Sequence, residues 1–228
     1  MNTVQFLNGL RFVDSFFPSG GYAFSSGLEA AAQGGQLRNA ADLDHYVQDL
    51  LRGGLATREA VAAGRAHRAA QLNDLQAAVR IDRELDAMKL DRESRLASRQ
   101  IGRHVIRIAS GQESGQPILE EFRAAVEDGR TPGHAAVGVG LTLGSFDWTE
   151  EAAISAYLYQ TAVGLLSAAI KLLPIGQQQG QRLLEGWLPL VVEAAATAAM
   201  QGEMHAWTPV QDIYAMRHGG LTVRLFRS

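Results

Sequence analysis

Apolar residues recur at helical spacing along almost the whole chain, and this restricts the fold more than any other feature. Phe6, Leu10 and Val13 mark a first helix that has to stop before Pro18. Asn39 precedes AADLDHYVQDLL as an N-cap, with Asp42 placed near the first-turn amides. Gly53-Gly54 should break or bend the next segment, which resumes as LATREAVAAGRAHRAAQL, and Asn73 is the expected cap for DLQAAVRIDRELDAM. A helix then runs from about Asp91 to Ala109 and closes on Ser110-Gly111. Pro117 opens ILEEFRAAVED, Gly129 ends it, and Pro132-Gly133 leads into HAAVGVGLTLGSF. Thr149, followed by Glu150 and Glu151, starts a helix that reaches about Leu173 and is stopped by Pro174. The last long helix spans about Gln177 to Met200, and Pro189 should kink or split it. Period-two alternation is scarce, and only LTVRLF near the C-terminus reads as a short strand. The expected fold is all-α: one helical bundle over 1–228 with roughly eight to ten helices and a flexible C-terminal tail at about 205–228.

Composition supports a buried core and narrows the chemistry. Of 228 residues, 46% are hydrophobic and 20% charged, a globular balance. A net charge of -3 argues against nucleic acid or a membrane surface as partner, so any charged partner has to meet a local patch. Cysteine is absent, which removes disulfides and thiolate chemistry and fits a reducing compartment. The N-terminus, MNTVQFLNGLRFVDS, reads without a secretory leader. Ala152–Leu173 and Leu188–Met200 read as too short or too wet to span a bilayer. The expected compartment is the cytoplasm.

The catalytic motifs do not assemble. His45, His67, His104, His134, His205 and His218 lack the HxxxH or HExxH spacing, and Glu203, His205 and His218 make only a loose tail cluster. VGVGLTLG is not a dinucleotide loop; Gly138, Gly140 and Gly144 read as small residues that let a helix approach its neighbour. Ser25 and Ser26 lie in a glycine-flanked turn without the GxSxG elbow. Asp42, Asp44, His45 and Asp49 read as a solvated acidic face.

Two patterns point to interaction instead. Arg92, Arg95, Arg99, Arg103 and Arg107 are spaced three, four, four and four, on one side of a helix whose opposite side carries Ala97, Ile101, Val105 and Ile108. Leu96 and Ile106 fall among the arginines. This stripe reads as a solvated face paired with acidic neighbours or as a protein-binding surface, since arginine is enriched at interfaces. The end of the chain, LTVRLFRS, alternates apolar and basic residues after Gly219-Gly220, and it docks either on its own core or on a partner.

The loop FFPSGGYAFSSGLEAA lacks the lysine of a phosphate cradle. It is similar to the N-terminal signature of the UreF family of urease accessory proteins, Leu-Pro-x-Gly-Gly-Phe/Tyr leading into Ser-x-Gly-Leu-Glu. SRLASRQIGRHVIRIA resembles that family's Gly-Arg helix, and HAAVGVGLTLG with AAIKLLPIGQQQGQRLL resembles its paired C-terminal helices. MRHGGLTVRLFRS resembles its terminal motif.

The resemblance spans nearly the whole chain. It implies an all-helical, dimeric, cytoplasmic protein without catalysis or a cofactor of its own. Such a protein joins a UreD/UreH-type accessory protein and the GTPase UreG in loading nickel into apo-urease, and it modulates GTP hydrolysis. By the same resemblance, Pro18, Gly20, Gly21, Tyr22, Ser25, Gly27 and Glu29 form the N-terminal partner surface. Lys171 faces the GTPase, where the family often has arginine, and a lysine there offers a point charge in place of a bidentate fork. His218, Arg224, Leu225, Phe226 and Arg227 dock the tail on the UreD/UreH-type partner. Gly219 stands where a glutamate is common, and Ser19 where an apolar residue or threonine is. Arg99 and Arg103 belong to the interaction stripe. The alternative is a helical small-molecule enzyme with Arg99, Arg103 and His104 around a pocket. A third possibility is one arginine, of Arg103, Arg107 or Arg224, inserted toward the GTPase's nucleotide.

Overall fold

A computed structural model describes residues 2–112 and 116–227. Ser228, the last residue of the terminal motif, lies outside the described residues. The helices are α1 (Thr3–Val13), α2 (Leu28–Gln33), α3 (Ala40–Leu50), α4 (Ala60–Gln71), α5 (Leu75–Met88), α6 (Arg92–Ser110), α7 (Pro117–Glu127), α8 (Ala135–Ser145), α9 (Glu150–Leu172), α10 (Gln177–Met200) and α11 (Pro209–His218). A π-helical stretch, Leu51–Glu59, joins α3 to α4 without a break, so the expected all-α bundle forms.

Local chemistry sets most of the ends. Asn39 accepts from the Ala41 and Asp42 amides at 2.9 and 3.0 Å, and Asp42 reaches back to the Arg38 amide at 2.9 Å. Thr149 caps α9, Asp91 caps α6, and Pro117 opens α7. The cap of α5 is Asp74 instead of Asn73: Asp74 Oδ1 accepts from the Ala77 amide at 2.8 Å, while Asn73 takes a left-handed φ of 50° as the chain turns. Pro189 does not split α10. Pro189 and Glu185, whose carbonyl it leaves without an amide donor, both lie on the exposed side, where water can satisfy the carbonyl.

α8 is the axis of the molecule. All eleven of its residues are buried, and α1, α4, α5, α6, α7 and α9 surround it. Its glycines allow this. A Cβ on Gly140 would lie 2.3 Å from the Ala63 carbonyl oxygen of α4, and one on Gly102 of α6 would lie 2.3 Å from the His134 backbone. The close crossing at Gly102 also turns α6 relative to the expected face. Ala97, Gly102, Val105, Ile106 and Ala109 are buried, while Ile101 and Ile108 are half-buried. Ile106, which the sequence puts among the arginines, is therefore core.

α9 and α10 are, by length and composition, long and apolar enough to cross a membrane, contrary to the sequence reading. In this fold they pack on each other and against α3 and α4 as bundle helices. The Gly53-Gly54 pair falls within the π-helical stretch, where the Trp207 amide donates to the Gly53 carbonyl at 2.7 Å. The expected LTVRLF strand does not form among the described residues. Its Leu225 and Phe226 amides go to a carboxylate in place of a neighbouring strand.

Candidate functional site

The loop between α1 and α2 is anchored at its start by aromatic packing. Phe12 is fully buried between Phe17 and Phe146, with ring centroids 5.2 and 5.7 Å away. Phe16 and Pro18 are exposed. Ser19 Oγ accepts from the Gly21 amide at 3.2 Å, so this residue closes a turn rather than adding apolar surface. Gly20 has φ 75°, and Gly21–Ala23 form one 3-10 turn that leaves Tyr22 78% exposed. Ser25 is buried, and its Oγ accepts weakly from the Glu29 amide at 3.4 Å. Gly27 sits at the start of α2 with φ 85°, and a Cβ there would lie 2.9 Å from the Ala215 amide nitrogen. The backbones of the loop and α11 thus meet directly at Gly27.

Glu29 is the centre of the junction. Its side chain is buried, and both oxygens are used: Oε1 accepts from the Leu225 amide at 2.6 Å, and Oε2 from the Phe226 amide at 3.0 Å and His218 Nε2 at 2.9 Å. Burial opposes the charge, but the Leu225 amide, His218 and the Phe226 amide outweigh it and hold this carboxyl below its ordinary value. His218 Nδ1 lies 2.6 Å from Glu93 Oε2, so both ring nitrogens face carboxylates.

Arg224 completes the cluster, donating to Glu93 Oε1 at 3.0 Å and to the Gly219 carbonyl at 2.5 Å. A Cβ at Gly219 would stand 3.6 Å from Glu93 Oε1, so glycine there keeps a second acidic side chain away from the one Arg224 and His218 share. The Arg227 amide donates to the Ala23 carbonyl at 2.8 Å. Phe226 is buried, with Lys171 Nζ 5.5 Å above its ring.

The loop residues, Lys171 and the tail residues are therefore brought together, although Glu29 and Phe226, for example, are 197 positions apart in sequence. Ser25, Gly27, Glu29, His218 and Phe226 face inward and build the junction. Tyr22, Val223 and Leu225 remain 78%, 74% and 63% exposed on it. Glu93 is the member that sequence reasoning missed; its only signal was its place in the first turn of the arginine helix.

Arg99 and Arg103 lie elsewhere. Arg99 pairs with Asp86, Arg103 donates to the Pro132 carbonyl at 2.9 Å, and His104 keeps a buried Nδ1 without a partner among the described residues. Two surface cavities, of about 650 and 310 Å³, are lined by other residues, so these three side chains do not frame either one. His134, beside Arg99, lies 3.0 Å from Ser98 Oγ and 2.8 Å from Asp86 Oδ1, but the Ala135 amide also points at that hydroxyl, which makes the trio a cap for α8.

Comparison with known proteins agrees with these motifs. The UreF family model matches residues 37–188. The chain is 30% identical over 221 residues to the urease accessory protein UreF of Actinobacillus pleuropneumoniae serotype 3 (strain JL03), covering 96% of this chain and 97% of that protein. It is 33% identical to the urease accessory protein UreF of Methylobacterium sp. (strain 4-46), covering 96% and 87%, and 29% identical to that of Bacillus sp. (strain TB-90), covering 98% and 99%. With four sequence blocks in order, an all-helical fold and relatives matched end to end, this chain belongs to the UreF family of urease accessory proteins.

Proposed function

We propose that this chain is a non-catalytic adaptor of urease maturation. It binds a UreD/UreH-type accessory protein and the GTPase UreG, forms a homodimer within that complex, and modulates GTP turnover while nickel is loaded into apo-urease. It works in the cytoplasm, and nickel and GTP are handled by the partners. The observation that carries this reading is the junction itself: loop and tail are locked into one surface by Glu29. A surface ordered before the partner arrives loses less conformational entropy on binding.

The roles divide accordingly. Pro18, Gly20 and Gly21 set the loop's path; Ser25, Gly27, Glu29, His218 and Phe226 hold its underside; and Tyr22, Leu225, Arg224 and Arg227 face the partner with Lys171 beside them. Aromatic and arginine side chains at the centre of a preorganised patch are the usual carriers of binding energy. Light scattering after size exclusion tests the proposal, with the chain alone and then mixed with its cognate UreD/UreH-type protein and UreG. A ternary complex supports it, and no complex in any nucleotide state overturns it.

A further inference from the structure

The loop 128–134 gathers four arginines that are held in two different ways. Arg99 gives Nε and Nη2 to Asp86 at 2.8 and 2.6 Å, and Arg130 faces Asp128 at 3.4 Å. Among the described residues, Arg83 of α5 and Arg103 of α6 pair with no carboxylate. Each donates only its Nε, Arg83 to the Arg130 carbonyl at 2.8 Å and Arg103 to the Pro132 carbonyl at 2.9 Å. Those carbonyls lie two residues apart on the same loop. The loop is fixed from below, where buried Asp82 accepts from Thr131 Oγ1 and from the Gly133 and His134 amides at 2.7, 2.6 and 2.7 Å.

This way of holding an arginine leaves its terminal guanidinium nitrogens free. Among the described residues, the Nη atoms of Arg83 and Arg103 have no hydrogen-bond partner, and both side chains are exposed. A guanidinium anchored through Nε has already lost much of its rotamer freedom, yet it keeps donors that match a planar anion. The nearby carboxylates are engaged: Asp82 with the loop, Asp86 with Arg99 and His134, Asp128 with Arg130. In a chain of net charge -3 this is a local site for an anionic partner, not a polyanion-binding surface.

We infer that Arg83 and Arg103 form a preorganised clamp for aspartate or glutamate side chains on the surface of a partner protein. The inference rests on the adaptor reading, and it adds a second contact region on the loop between α7 and α8. The test is titration of the whole chain with purified cognate UreG and, separately, the UreD/UreH-type protein at two salt concentrations. The variants are Arg83→Ala, Arg103→Ala and the double substitution.

Each single substitution should weaken binding to one of the two partners by about tenfold, as expected for a lost hydrogen bond between charged groups. The double variant should also show a shallower salt dependence. Arg83→Lys and Arg103→Lys keep the charge without the fork, so a comparable loss in these variants supports the clamp even if an alanine variant folds poorly. Unchanged affinity for both partners in the double variant overturns the clamp. So does displacement of the partner by inorganic phosphate or GTP acting on these two arginines, which would mark a small-anion site. A wild-type chain that binds neither partner overturns the adaptor reading, and the clamp with it.

Discussion

Glu29 and Glu59 are almost equally buried, at 2% and 3% exposure, yet they are neutralised by different kinds of partner. Glu59, at the end of the π-helical stretch, takes Arg58 at 2.9 Å and Lys89 at 2.8 Å on one oxygen, while its other oxygen has no partner among the described residues. Glu29 shares both oxygens among two tail amides and one imidazole. The first arrangement places three charges inside the bundle, where each needs the others. The second ties a peripheral segment to the body through one side chain. One carboxylate is thus tied to the stability of the whole domain, and the other to whether the tail stays in place.

The largest expected effect tests the first half of that contrast. Glu59→Gln leaves Arg58 and Lys89 buried without a counter-charge and should cost about 3–5 kcal/mol, read as a lower urea midpoint for the whole chain. Acid should act on the same group. Burial works against its charge, but Lys89 and Arg58 outweigh it and hold the Glu59 carboxyl at about 2 against an ordinary 4.5. A carboxyl lowered by folding contributes stability that is complete above 4.5 and lost as pH falls toward 2. Wild-type stability should therefore fall steeply through that window, and the glutamine variant should fall less. Equal slopes would remove Glu59 as the cause.

Glu29→Gln should cost less, about 1–3 kcal/mol, and the loss should be local. Hydrogen exchange should quicken first at the Leu225, Phe226 and Arg227 amides, with α4 and α8 still protected. An equal loss of protection in α8 would erase the contrast between the two carboxylates. Lys171→Met is the smallest expected change, about 0.5–1 kcal/mol for an exposed cation over the Phe226 ring. If it freed the tail as fully as Glu29→Gln does, Lys171 rather than Glu29 would be the main tie.

Much of the fold was legible because its signals are local. Asn39, Thr149 and Pro117 sit within a few residues of the amides or turns they control, so the chain alone marks those helix starts. The glycines of α8 were legible too, as small residues at the spacing a close crossing needs. Where a choice lay between neighbours, local reasoning slipped by one position, as with Asp74 for Asn73. It also put Ile106 on the arginine face, because periodicity does not say how a helix is rotated by the neighbour it crosses at Gly102.

The site divides in the same way. The sequence by itself determined the helical class, most helix ends, the family, and that the FFPSGGYAFSSGLE and RLFRS blocks are special. Only the tertiary structure decided that Glu29 and His218, 189 positions apart, meet in one buried cluster, and that Glu93 joins them. It also separated Arg103, tied by Nε to a loop carbonyl, from Arg99, spent on Asp86. The physical reason is that caps and periodicity act over a few residues. The partner of a buried charge is chosen by which distant segment the packing brings within about 3 Å.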